Sequence, residues 1–311
     1  MPSPLSEAKM TGALMVMLSA VGFSAKAIFA KLAYRYGADA STVLGLRMAF
    51  ALPFFAVIAV RGGRAPGAAR FTRRELGTMF LAGSAGYYLA SALDFQGLTL
   101  ISAGLERLIL FLYPTVVVLV NVALRGERLT ARILWALALC YGGVLLVVWS
   151  DRLAQGSDVA LGSALVFASA IAYTGYLILS QPLLVRHGSM RVTSCALVVT
   201  ALCALTQFCV SHDPRTLVQQ PWQVIALCLL TALVATVVPA FLLAAGMRRL
   251  GTSRASLIAT VGPVSTLLLA YWFLDEPLTT MQVVGSSLVL VGVWMVSGGE
   301  RESEDSLGGG R

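Results

Sequence analysis

The sequence predicts an all-α integral membrane fold, with ten transmembrane helices forming two inverted five-helix repeats around a central cavity. Three observations carry that prediction. Hydrophobic residues make up 58% of the 311-residue chain and charged residues only 12%, roughly half the charged share of a soluble domain. The apolar residues fall in runs near the ~20 needed to cross a bilayer. The stretch 104–144 also returns at 253–293 without a gap. Pro114, Glu127 and Gly143 recur as Pro263, Glu276 and Gly292, each 149 positions on. A half-chain repeat in so apolar a chain marks a duplicated membrane architecture with its site between the halves. Five spans per half is an odd number, so the second half enters the membrane upside down relative to the first.

Each span has its own justification. The first (12–33) carries Ser19, Phe23 and Lys26, spaced four and three apart on one helical face. Lys9 ahead of it imitates a signal peptide, but the duplication requires this span as partner of the sixth, so it is read as retained. The second (42–60) holds Arg47, and the third (76–98) repeats the four-and-three spacing with Tyr87, Ser91 and Asp94. The fourth (103–124) opens with Glu106 and Arg107 and aligns Arg107, Pro114 and Asn121 at intervals of seven. Pro114 is expected to kink it. The fifth (133–149) bears Ala136 and Gly143, small residues that let a neighbour approach closely. The sixth (161–180) shows a stripe of Ser169, Tyr173, Tyr176 and Ser180. The seventh (194–210) and eighth (224–246) are apolar. The ninth (253–273) repeats the proline as Pro263, and the tenth (283–297) repeats the small residues as Gly285 and Gly292. The fifth and tenth are expected to pack together as scaffold. Glu127 and Glu276, at the ends of the fourth and ninth spans, are expected to cap the first turn of the next helix.

The chain thus divides into a first repeat (1–149), a polar outer linker (150–160), a second repeat (161–297) and a disordered cytoplasmic tail (298–311). Lys and Arg set the orientation. With the N-terminus inside, the inner segments hold Lys9, Arg61, Arg64, Arg70, Arg73, Arg74, Arg125, Arg128, Arg132, Arg186, Arg191, Arg248, Arg249, Arg301 and Arg311, while the outer loops hold only Lys31, Arg35, Arg152 and Arg215. That bias puts both termini in the cytoplasm of a cell whose cytoplasmic (inner) membrane the chain crosses. The net charge of +8 is therefore a topology signal rather than a nucleic-acid footprint. Cys140, Cys195, Cys203, Cys209 and Cys228 lie within spans and lack metal spacing. His187 and His212 stand alone in loops, and no phosphate-cradling Gly-rich loop is present. Neither a metal, a cofactor nor a nucleophile–base constellation is expected, so the chain does not read as an enzyme.

A proline midway along the fourth span, an acidic residue at its end and a Gly-rich fifth span resemble the EamA repeat of the drug/metabolite transporter superfamily. The match covers both halves; residues 23–55, including Arg47, open the first repeat in that family's manner, whereas 161–210 are more diverged and lack a counterpart of Arg47. The resemblance implies a ten-span secondary or facilitative carrier of small metabolites, often an exporter.

Ionisable residues inside a span face a cavity or a partner, because at the bilayer centre each costs about 2.5–3.5 kcal/mol. Lys26, Arg47, Asp94 and Arg107 come from four spans, yet at ~1.5 Å rise per residue they share one depth in the outer third. With Glu106 they form a candidate buried cluster; snorkelling to the headgroups is the alternative reading for Arg47, Glu106 and Arg107. Tyr87, Ser91, Asn121, Tyr173 and Tyr176 are the further candidates for the translocation path. Three cations against two carboxylates suit a carboxylate or zwitterion, with aromatic faces for an apolar side chain. The expected solute is an amino acid or a related small metabolite. A multidrug or organic-cation exporter and an uptake permease remain the alternatives, and a monomer in the bilayer is expected.

Overall fold

A computed structural model describes the backbone of residues 4–125, 129–251, 255 and 258–308, with side chains for 10–123, 129–154, 156–251, 255 and 258–296. The described chain is helical, without a strand. Helix α1 spans Pro4–Arg35 and α2 Ala40–Arg64. The third run is continuous but changes pitch: α3 (Arg73–Leu81), a π-helical segment (Ala82–Tyr88), then α4 (Leu89–Leu98). Next come α5 (Ala103–Leu110), α6 (Tyr113–Arg125), α7 (Ala131–Gln155), α8 (Asp158–His187) and α9 (Ser189–Ser211). The eighth run mirrors the third, with α10 (Trp222–Ala232), a π segment (Leu233–Val237) and α11 (Val238–Leu250). Helices α12 (Val261–Leu274) and α13 (Thr280–Gly308) close the chain. Seven of these stretches are long and apolar enough to cross a membrane, and Val261–Leu274 and Thr280–Val296 are shorter apolar helices.

Local chemistry starts the helices. Asp39 accepts from the Thr42 amide at 3.0 Å, and Ser102 from that of Leu105 at 3.1 Å. Thr72 and Glu75 form a reciprocal capping box, which satisfies two amides that no helical carbonyl can reach. Glu75 also meets Arg186 at 2.9 Å and His187 at 3.2 Å, tying the start of the third run to the end of α8. The Thr72 amide first, then His187 and Arg186, hold the Glu75 carboxyl at about 2, well below its ordinary value.

The helix contacts of the two halves correspond. Helix α1 lies on α10–α11 and on α12, as α8 lies on the third run and on α5–α6; α2 pairs with α9, and α7 with α13. Close approaches repeat at an offset of 149 or 150 residues. A Cβ on Gly97 would stand 2.8 Å from the Gly162 carbonyl oxygen, and one on Gly246 3.0 Å from that of Gly12. The α7–α13 seam is tighter. A Cβ at Gly143 or Gly285 would come within 2.6 Å of the other's carbonyl oxygen, and one at Gly292 within 2.7 Å of that of Ala136. Advancing along one helix retreats along the other, so α7 and α13 run antiparallel. Only glycine permits such contact.

Two expectations need correction, and a third gains detail. The segment 150–160 is mostly helical, leaving Gly156 and Ser157 between α7 and α8. Asp151 is buried and accepts from Ser102 at 2.5 Å and Gln282 at 3.2 Å, so its polarity is satisfied without breaking the helix. Gly156, at φ 100°, then makes the turn in backbone space open to glycine. The kinks expected at the prolines are breaks just ahead of them. The fourth run is interrupted at Phe111 and Leu112 and the ninth at Thr260, placing Pro114 and Pro263 in the first turns of α6 and α12. Their missing N–H groups belong to the four amides that have no helical partner anyway. Finally, Glu276 caps a helix of the other half rather than the next one: its oxygens accept from the Ala103 amide at 3.0 and 3.2 Å and meet Lys31 at 3.1 Å. Glu127 lies outside the described residues.

Candidate functional site

A cavity of about 310 Å³ lies among α1, α2, the third run, α5, α6, α8 and α10–α11. The two π segments and the first helix break reach it through Tyr87, Ala235 and Phe111, and Ala259 reaches it just ahead of the second break. A π turn widens the helix by one residue and redirects the side chains around it. The four irregularities therefore sit where the packing has to leave space.

The polar stripes converge there. Lys26, Arg47, Tyr87, Ser91, Asp94, Arg107 and Tyr173 line the cavity, together with Ser19 and Ser169. Lys26 is the hub: its Nζ donates to Asp94 Oδ2 at 2.5 Å and lies 2.8 Å from Glu106 Oε1, the latter contact without hydrogen-bond alignment. Of the three cations offered as partners for Asp94, the structure selects Lys26. Glu106 is wholly buried and lies 2.8 Å from Lys26, so the snorkelling alternative fails for it. Both Glu106 oxygens and Asp94 Oδ1 lack hydrogen-bond partners.

The two arginines are held differently. Arg47, only 5% exposed, donates Nε–H to Thr236 Oγ1 at 3.0 Å and lies 5.3 Å from the centre of the Phe95 ring. Lys26 approaches the same ring at 5.8 Å, so one aromatic ring serves both cations. Thr236 belongs to the second π segment and donates to the Thr231 carbonyl. Arg107 packs against the start of α12, where a Cβ on Gly262 would meet its Nη2 at 2.8 Å, and its Nε has no hydrogen-bond partner.

Tyrosines make the facing wall. Tyr87 meets Tyr173 edge-on at 5.9 Å, and Tyr113 meets Tyr173 at 5.8 Å. Two candidates fall elsewhere. Tyr176 is buried behind the wall, edge-on to Tyr87 at 5.2 Å with its hydroxyl 3.4 Å from Thr193. Asn121 does not line the cavity: the break at Phe111 and Leu112 resets the helical phase, so the spacing of seven from Arg107 no longer keeps one face. Sequence reasoning missed Phe111, Tyr113 and Thr236. The first two could have been found from the break that a proline in an apolar span invites; the sequence carries no sign of a π segment. The described residues include no group of His, Cys, Asp and Glu able to hold a metal ion.

The arrangement can hold a small polar solute away from water, at the low end of the roughly 300–1,000 Å³ usual for small-molecule sites. Comparison with known proteins agrees in class. An uncharacterized transporter of Bacillus subtilis, YcbK, is 29% identical over 88% of both chains. An uncharacterized transporter of Archaeoglobus fulgidus is 26% identical over 91% of this chain and 94% of its own. A protein crystal structure superposes with a TM-score of 0.59 over 92% of this chain and 98% of its own, at 17% identity, a likeness of fold alone. The model of the EamA-like transporter family matches residues 10–149 and again 160–298. The chain is therefore a multi-pass membrane protein, a transporter rather than an enzyme, and belongs to the EamA-like transporter family.

Proposed function

We propose that the protein is a secondary carrier that exports an amino acid or a related small carboxylate or zwitterion by alternating access. Ten spans form two inverted repeats, with both termini in the cytoplasm. The cavity carries this reading: four ionisable side chains from four different runs meet in a small chamber walled by tyrosines. Inversion draws support from the antiparallel α7–α13 seam and the two π segments at matching positions. A cavity near a pseudo-two-fold axis can open to either side when one half rocks against the other. The cytoplasmic orientation rests on the basic residues gathered at one end.

One observation favours a second reading. Asp94 lines the cavity and its Oδ1 lacks a hydrogen-bond partner, and such a carboxylate would suit an organic cation. Flux measurements in liposomes separate the two, using amino acids, simple carboxylates and lipophilic amines, in both directions, with and without a pH gradient. Movement of amino acids supports the proposal. Movement of amines alone selects the cation reading, and movement of neither rejects both.

A further inference from the structure

The chamber has cations to spare, and they are not equivalent. Lys26 is already shared between Asp94 and Glu106, and Arg47 is committed to Thr236 and the face of Phe95. Arg107 differs. It lines the cavity, its Nε has no hydrogen-bond partner, and among the described residues no carboxylate pairs with it.

Its surroundings make the lack more costly. The guanidinium lies against Gly262, second residue of the 14-residue helix α12. The first turn of a helix presents unbonded N–H groups and about half a positive charge. A guanidinium lying beside that turn adds to its positive field, and an anion in the adjoining chamber would offset both. The planar guanidinium fork fits a carboxylate in particular, through paired hydrogen bonds. The adjoining wall of Tyr113 and Tyr173 offers apolar faces for the rest of a small organic acid.

From this geometry we infer that Arg107, set against the first turn of α12, is the carboxylate subsite of the chamber, and that the solute's carboxylate binds there rather than at Lys26. The inference rests on the cavity being the path of the transported solute, and it fixes which cation reads the acid group. Arg107 is then a binding residue whose Nε–H is not taken up by the protein itself.

The test uses purified protein in detergent and follows thermal unfolding. The probes are L-leucine and L-phenylalanine, their amides, their decarboxylated amines and the matching acids without an amino group. Probes with a free carboxylate are expected to raise the melting temperature, and amides and amines to do so far less. Arg107→Gln should abolish that preference, and Arg107→Lys should restore part of it. Stabilisation by acids and amides alike overturns the subsite, as does an unchanged preference in Arg107→Gln or the absence of binding by any acid. In liposomes the two readings fail separately. Carriage of solutes without regard to their carboxylate sinks the subsite but leaves a transporter, whereas carriage of no solute sinks the transport proposal itself.

Discussion

The two halves share a frame and differ in chemistry. Gly97 and Gly246 make the same close approach, the π segments fall at matching positions, and both proline-bearing runs break ahead of the proline. The charges do not repeat. Asp94 and Glu106 have Leu243 and Ala255 at the 149-residue offset, and the stripe Ser19, Phe23, Lys26 is answered 150 positions later by Ser169, Tyr173, Tyr176. One half therefore supplies a charged wall and the other adds tyrosine and alkyl surface. Duplication fixes where a cavity can open, and the unrepeated side chains give it a direction. A solute with a polar end and an apolar end can be oriented only in a chamber whose two sides differ.

The largest expected effect tests the charged wall. Lys26→Met strands two buried carboxylates, and losing one partner of a buried pair costs about 3–5 kcal/mol. A sharp fall in folded protein on size-exclusion chromatography is expected. Adding Asp94→Asn and Glu106→Gln should restore folding, and strict additivity in that cycle would mean the three groups are not coupled. The shared frame comes next. Gly143→Val and Gly285→Val each push a side chain into the partner's carbonyl at a seam built on 2.6 Å virtual contacts, and overpacking of this kind costs about 1–3 kcal/mol. The two losses in melting temperature should be similar, and a large disparity would break the two-fold equivalence.

Much of this was legible because a helix keeps its phase. The stripes on the first, third and sixth spans predicted which side chains would meet, and Lys26, Asp94, Tyr87 and Tyr173 do meet. The pairing of Ala136 and Gly143 with Gly285 and Gly292 followed from small residues alone. The reading faltered where phase is lost or where tertiary partners decide. Asn121 was projected across a break. Tyr176 lies on the correct helix but turns into the tyrosine cluster. Glu106 sits near a span end, where sequence cannot separate snorkelling from burial, and its burial against Lys26 settles the matter. Glu276 was assigned to the next helix because capping is usually local, yet its partners Ala103 and Lys31 come from the other half.

Smaller effects probe the contacts between halves. Glu276→Gln weakens the Lys31 contact and the cap on α5, and a lost cap costs about 0.5–2 kcal/mol. A drop in melting temperature should follow, and none should appear if Lys31 is already Met, should the cap prove incidental. Glu75 gives the smallest change. Its carboxyl is held at about 2, against an ordinary 4.5, so its contribution is complete above the ordinary value and is lost as pH falls from there through about 2. Protease cleavage of the 65–72 segment should rise over that acid range after brief exposure and return to neutral pH. In Glu75→Gln the acid-dependent part of that rise should vanish.

The central claim is that transport depends on the charges that only the first half carries. Its most direct test compares Lys26→Met with Tyr176→Phe, reconstituted in liposomes and scored as initial flux per folded molecule for a solute the wild type carries. The account predicts a loss of roughly 100-fold or more for Lys26→Met, as expected when an interaction central to the transport step is removed, and only a few-fold change for Tyr176→Phe. Near-wild-type flux in Lys26→Met, or equal losses in the two variants, would contradict it.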